Sequence, residues 1–401
     1  MKAYWSLIPA LAILAGLGGI LIGGETLESK TSTLAFLNLF GKQEEWKTAD
    51  EMKGLVDDET LKVMQCYAAM NTKEVTENKT LLFTKVQLQK RIEPTFMLKD
   101  NTIYVKNRET ILTGGLVGRL YSINLPWRGT STANFFEARC LMKVNETHYR
   151  LSVVFYDPIY LKKTLVVSAE TPKDYNYTRA WFKREDHTCK LLRLDFGGAR
   201  PAVENPQIPC HDFTYYWDRP DPLTVGFGKE FEKLIDREKL PKNAAIPIVT
   251  RFMDTLVDYP RDNSSGKILV YDPATKSFSE IPKPVRKAYH PEEIIWESML
   301  VGRGYCGVYV SVIQLILRHL GLDVYHGSVN ITGAHAVLGV SEKDIAGVRG
   351  LRSYPAIAVI QRDDGQVMRI HVLEVTDAYS PIYRWDLYNT KYIAFSQYNP
   401  I

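Results

Sequence analysis

A chain of 401 residues is longer than one typical hydrophobic core, so a short terminal segment plus two domains is the starting expectation. Charged residues at 24% and hydrophobic ones at 45% are ordinary for a folded globular protein. The net charge of +4 is small against 50 basic and 46 acidic side chains, and no dense basic run carries interleaved aromatics, which excludes an evident nucleic-acid partner.

The N-terminus bears on the compartment. Lys2 is followed by an uncharged run from Ala3 to Gly24, and charge resumes at Glu25, Glu28 and Lys30. At about 1.5 Å per residue the run spans roughly 33 Å, enough to cross a hydrocarbon core of about 30 Å. The small-x-small triplet Ala10-Leu11-Ala12 lies inside the run rather than after it. Residues 1–24 therefore read as an uncleaved signal anchor, a single-pass transmembrane helix, with residues 25–401 extracytoplasmic; cleavage would make the protein secreted. The cysteines agree with export. Cys66, Cys140, Cys189 and Cys210 form an even set and Cys306 is left over, which suggests two disulfides and a free thiol. Of the three pairings, Cys66–Cys140 with Cys189–Cys210 is preferred, because the second closes a short loop rich in Pro and Gly. Sequons at Asn78, Asn145, Asn176, Asn263 and Asn330 are compatible with a glycoprotein. Asn330 is expected unmodified if His335, five residues on, is catalytic.

Residues 25–50 read as a stalk, and Glu51–Met70 has loose helical spacing. The texture then changes: Leu81–Leu88, Thr102–Val105, Thr147–Tyr156 and Lys163–Val167 are β-branched, aromatic and partly alternating, which predicts short strands of an antiparallel sheet or sandwich. Residues 51–218 are thus expected to form a β-rich, disulfide-stapled extracytoplasmic domain. No metal-ligand spacing occurs there, and His148 and His187 are lone histidines. Asp218-Arg219-Pro220-Asp221-Pro222 interrupts the pattern and marks the boundary of a second domain, 219–401.

In that second part, Phe227, Phe231, Leu234 and Ile235 recur at helical spacing, and Asn243–Tyr259 predicts a second amphipathic helix with Pro247 in its first turn. Residues 267–281 read as a hairpin and Ile294–Leu300 as a short helix. Gly302-Arg303-Gly304-Tyr305-Cys306-Gly307 then leads into an apolar helical run, Val308–Leu320. A cysteine in the first turn of a helix faces unpaired N–H groups and the positive end of the dipole, which lower a thiol's pKa. Gly333-Ala334-His335-Ala336-Val337 places a histidine at the opening of an apolar strand, a base for that nucleophile. The alternative is a buried, inert structural cysteine.

The helix ending in Val257-Asp258-Tyr259, the Gly302-x-Gly304-x-Cys306-Gly307 segment, Leu315–Leu322 and His335-Ala336-Val337 together resemble the transglutaminase-like superfamily of cysteine hydrolases, over roughly residues 240–390. The resemblance implies an α+β fold with a papain-like core, a Cys-bearing helix on an antiparallel sheet, preceded here by the β-rich domain and the transmembrane helix. It implies a Cys306, His335 and Asp377 triad, Asp377 closing the strand Met368–Val375 and orienting the imidazole, with Asp386 as a fallback. Asp363 and Asp364 read as turn residues and His371 as structural. The family's usual His-Ala-Trp is His-Ala-Val here, and Trp296 and Trp385 are the nearest candidates to supply the missing wall, with core packing the competing role. The implied activity is a protease or amidase that acts through a thioester on a protein or peptide substrate, with no cofactor and no metal. The alternatives are a transglutaminase, in which an amine resolves the thioester and cross-links surface proteins, and a non-catalytic binding or structural member of the fold.

Overall fold

The computed structural model describes residues 45–401 apart from 82–83, 115–125, 128–133, 176–181, 198–200, 218–220, 260–265, 284–290, 331–333, 352–355, 377–389 and 401. The expected anchor helix lies outside the described residues, as does most of the stalk. Among the described residues, no helix is long and apolar enough to cross a membrane.

The helices are α1 (Asp58–Asn71), α2 (Pro222–Arg237), α3 (Ala245–Leu256), α4 (Pro291–Val301), α5 (Cys306–His319) and the single turn α6 (Glu342–Ile345). The longer strands are β1 (Lys73–Leu81), β2 (Thr84–Lys99), β3 (Thr102–Gly114), β4 (Ala138–Lys143), β5 (His148–Asp157), β6 (Lys163–Pro172), β7 (Phe182–Asp195) and β8 (Cys210–Trp217). They continue with β9 (Ile268–Asp272), β10 (Ser277–Ile281), β11 (Val324–Asn330), β12 (Ala334–Ser341), β13 (Ala356–Arg362), β14 (Val367–Leu373) and β15 (Tyr392–Pro400). The run Leu81–Leu88, expected as one strand, falls across the end of β1 and the start of β2, which pair in register from Lys73↔Ile92 to Leu81↔Thr84. The expected helix from Glu51 begins later. Gly54 adopts φ +80°, and Asp57 caps α1 by accepting the Thr60 N–H at 2.9 Å.

The expected α+β fold, a Cys-bearing helix on an antiparallel sheet with a separate β-rich domain before it, is not what forms. Strand outweighs helix, 47% against 27%, and seven strands close into a barrel. Its order is β7-β8-β15-β11-β12-β14-β13, and β13 pairs back onto β7 from Ile357↔Asp195 to Arg362↔Cys189. Neighbours run antiparallel except β8 and β15, which are parallel from Cys210↔Ile393 to Trp217↔Pro400. Two staves, β7 and β8, come from the stretch expected to belong to the preceding domain. A second sheet, β10-β9-β4-β5-β6, likewise joins strands from either side of position 218. Trp46–Ile401 accordingly forms one compact unit. The reason is non-local: each strand segment buries its apolar face only against partners far along the chain, and local patterning does not encode which partners.

The apolar side chains divide into three clusters. Leu191, Leu194, Val337, Ile360, Ile370, Ile393 and Phe395 fill the barrel. Met64 of α1 packs with Phe96, Phe136 and Tyr271. The largest cluster joins α2, α3, α4 and α5 to β5, β6 and the outer face of β12. Phe252 sits within it, its ring 4.9 Å from Phe227, 5.1 Å from Phe231 and 5.7 Å from Phe155, all edge-on. Gly228 lets α2 lie against the last turn of α5, since a Cβ there would fall 2.7 Å from the His319 ring. The disulfides join Cys66 to Cys140, pinning α1 to β4, and Cys189 to Cys210, a directly opposed pair on neighbouring staves. Phe252→Ala removes the ring that three others meet. It is expected to destabilise the protein by about 3–5 kcal/mol, read as a lower urea midpoint; a change within about 0.5 kcal/mol would show that this cluster is not the working core.

Candidate active site

Cys306 is placed by the way α4 stops. Gly302, at φ +76°, turns the chain out of that helix, and the N–H groups of Gly302 and Arg303 both return to the Ser298 carbonyl, at 2.8 and 3.1 Å. The next residues run beside the end of α3: the Asp258 N–H donates to Gly302 O at 2.9 Å, and the Gly304 N–H donates to Asp258 O at 3.2 Å. Tyr305 is extended and places no capping side chain over the start of α5. The Val308 and Tyr309 N–H groups return to the Tyr305 carbonyl, at 2.9 and 3.2 Å, and the Cys306 and Gly307 N–H groups precede that first bond at the positive end of the helix. Cys306 is the first helical residue and a free, partly buried thiol. Its sulfur accepts the backbone N–H of Gly307 and, from the facing strand, that of Ala336.

His335 stands at the start of β12, and α5 packs across β11 and β12, which brings ring and thiol into hydrogen-bond contact. The ring's Nε2 lies 2.6 Å from Glu374 Oε2, so Nδ1 is the nitrogen left to the sulfur. Glu374 follows directly after β14 and is nearly inaccessible to water. Its other oxygen accepts the Thr376 N–H at 2.8 Å and the Thr376 hydroxyl at 2.5 Å. The expected orienting carboxylate, Asp377, lies outside the described residues, as do Asp386 and Trp385. The carboxylate that engages the imidazole is Glu374, which sequence reasoning passed over. A signal for it existed: Val372-Leu373-Glu374-Val375 is an acid inside an apolar run, and a carboxylate is rarely buried without a partner.

A fourth group was also missed. The Tyr259 hydroxyl is hydrogen-bonded to Cys306, and its ring meets Tyr305 edge-on at 5.8 Å and Tyr309 at 6.2 Å. Tyr309 in turn donates its hydroxyl to the Val257 carbonyl, which fixes the chain leading to Tyr259. Burial and the charge on Cys306 both raise the Tyr259 phenol, so it stays protonated and remains a donor. Trp296 is a core residue, almost fully buried, with its Nε1 donating to Thr171 Oγ1 at 2.8 Å. His371 lies on β14 with both ring nitrogens buried and without a partner among the described residues. Asp363 and Asp364 form the turn between β13 and β14.

The electrostatics follow from these contacts. Burial pushes the Cys306 thiol up, but the His335 bond, the Ala336 N–H, the imidazolium charge and the Gly307 N–H together pull it below its ordinary value. Burial likewise opposes charge on His335, and the bonds to Cys306 and Glu374 outweigh it, raising the imidazole to about 10. Glu374 is held below its usual range: its burial is overcome by the His335 bond and charge and by Thr376. The arrangement favours a thiolate–imidazolium pair backed by a carboxylate.

No family model, curated protein or solved structure matches this chain.

Two measurements follow from the charges. Alkylation of Cys306 by iodoacetamide is expected to rise with a midpoint below the ordinary thiol value of about 8.5, and His335→Ala should move that midpoint up; a thiol that labels only on unfolding would contradict the geometry. The second concerns stability. His335 is raised from 6.5 to about 10, so its pairing contributes in full below pH 6.5 and is lost as pH climbs toward about 10. Glu374, depressed from 4.5, contributes above that value and loses its contribution as pH falls through its lower folded-state pKa. Cys306, depressed from 9.0, contributes with the opposite sign, gaining as pH rises toward that value and offsetting the His335 loss over the same range. The stability gap between wild type and His335→Ala should therefore narrow below pH 4.5 and again between pH 9.0 and about 10; a gap unchanged at both ends in urea titrations would refute the coupling.

Proposed function

We propose that the protein is a cysteine hydrolase, a protease or amidase, with Cys306 as nucleophile, His335 as proton carrier and Glu374 as the group that orients it. The observation that carries this reading is the hydrogen-bonded chain from the Cys306 sulfur through the His335 ring to Glu374, with Nε2 taken by the carboxylate and Nδ1 left to the thiol. The resemblance to transglutaminase-like hydrolases implies a helix-borne cysteine, a strand-borne histidine and an aspartate, Asp377, closing the next strand; this reading takes Glu374, three residues earlier, in the aspartate's place.

The thiolate attacks the carbonyl carbon of an amide or ester, and the electron pair moves onto the oxygen. The Cys306 N–H at the helix start and the Tyr259 hydroxyl supply two donors for that oxyanion. The His335 imidazolium gives its proton to the leaving nitrogen or oxygen as the bond breaks, leaving a thioester. Neutral His335 then takes a proton from water, the hydroxide adds to the thioester, and the carboxylic acid departs as the thiol is restored. Glu374 keeps the ring in the tautomer and orientation that both steps need. The two disulfides favour an oxidising, extracytoplasmic setting.

The test uses fluorogenic peptide amides and esters together with a fluorescent primary amine. Cys306→Ala should abolish turnover, Glu374→Gln should lower it roughly a hundredfold or more, and Tyr259→Phe should cost about a hundredfold in kcat. Incorporation of the amine in place of hydrolysis would identify a transglutaminase. Equal rates in wild type and Cys306→Ala would mean that the fold carries a non-catalytic protein.

A further inference from the structure

Behind the cysteine segment lies a buried cation that the reaction itself does not use. Arg139 stands on β4, in a different sheet from His335, beside the disulfide-bonded Cys140. Its Nη2 donates to the Met299 carbonyl at 2.6 Å and the Leu300 carbonyl at 3.1 Å. These belong to the last turn of α4, where carbonyls lack intrahelical donors and the dipole favours a positive charge. The guanidinium lies against Gly302: a Cβ on that glycine would fall 1.8 Å from Nη1. Its Nε is buried with no partner among the described residues. Withdrawal from water pulls the guanidinium down to about 10, while the Asp258 charge works in the opposite direction. A cation held at such cost marks a place where the fold needs a specific geometry.

What it holds is the root of the site. The segment it grips, Met299–Gly302, is the lead-in to Cys306, and Gly302 and Gly304 are strapped to Asp258, the residue before Tyr259. We infer that Arg139 is a positioning residue: by clamping the end of α4 to β4 it sets Cys306 and Tyr259 in register with His335. Arg139 touches neither the thiol nor the imidazole in this role, and it acts through the Gly302–Tyr305 turn. The inference rests on the reading of Cys306 as the nucleophile.

The experiment compares wild type, Arg139→Met, Arg139→Lys and Gly302→Ala for the pH midpoint of Cys306 alkylation by iodoacetamide, the melting temperature, and kcat and KM on an amide substrate. Arg139→Met is expected to move the midpoint toward about 8.5 and to lower kcat about a hundredfold at unchanged KM. Arg139→Lys, which keeps a cation but cannot span both carbonyls, should recover part of both. Arg139→Lys carries the test if Arg139→Met does not fold; Gly302→Ala disturbs the same turn both by displacing the guanidinium and through its own left-handed φ of +76°, and should shift the midpoint at least as far. A lower melting temperature with an unchanged midpoint and kcat in the folded variants overturns the inference in favour of a purely structural arginine. An ordinary midpoint already in wild type would instead overturn the reading of Cys306 itself.

Discussion

Closure of β13 onto β7 is the constraint from which the rest of the molecule follows. Without it β7, β8, β15, β11, β12, β14 and β13 would form an open sheet with two bare edges, liable to pair with other chains. With it the strands enclose a core of Leu191, Leu194, Val337, Ile360, Ile370, Ile393 and Phe395, and the wall becomes rigid. The Cys189–Cys210 bond staples two neighbouring staves of that wall. A rigid wall matters because β12 carries His335 at one end, and α5 lies across β11 and β12 with Cys306 at its first turn. Helix and strand meet at a fixed distance only if neither can shift.

Within that frame the site is a row of charges held where water is scarce. Glu374 is nearly inaccessible, yet each of its oxygens is engaged, one by His335 and the other by Thr376. Burial alone would neutralise the thiol, the imidazole and the carboxylate. Their mutual contacts reverse the outcome at all three, which is the expected behaviour of groups close together in a low dielectric. At Arg139 desolvation prevails and pulls the guanidinium down to about 10, with Asp258 opposing it only in part and the carbonyl ends of α4 accepting its N–H groups. Buried polar groups here come in sets, each orienting the next, and the sets meet at the turn before Cys306.

Much of the local structure was legible in the chain. The glycine-flanked cysteine before an apolar helical run, and the histidine opening an apolar strand, stand in the structure as the start of α5 and the start of β12. The amphipathic spacing of Phe227 to Ile235 and of Ile246 to Leu256 gave α2 and α3, with Pro247 in the first turn where its missing N–H costs little. Asp363-Asp364-Gly365 marked the β13–β14 turn. Other features were not legible. Glu374 lies one residue past the strand end, and an aspartate farther along was the more conventional choice. Tyr259 and Arg139 reach the cysteine segment from parts of the chain that no spacing rule connects to it.

What the sequence determined by itself was therefore the chemistry at single points: a thiol at a helix N-terminus, a histidine on an apolar strand, and an even set of cysteines with one left over. Those follow from residue type and short-range periodicity, which act within a few residues. Tertiary structure alone decided that β7 and β8 join the same barrel as β11 and β12, and so removed the expected division at position 218. It also decided which carboxylate meets the imidazole and which arginine underlies the cysteine turn. These are choices among partners far apart in the chain, set by which faces can be buried together, and no local pattern records them.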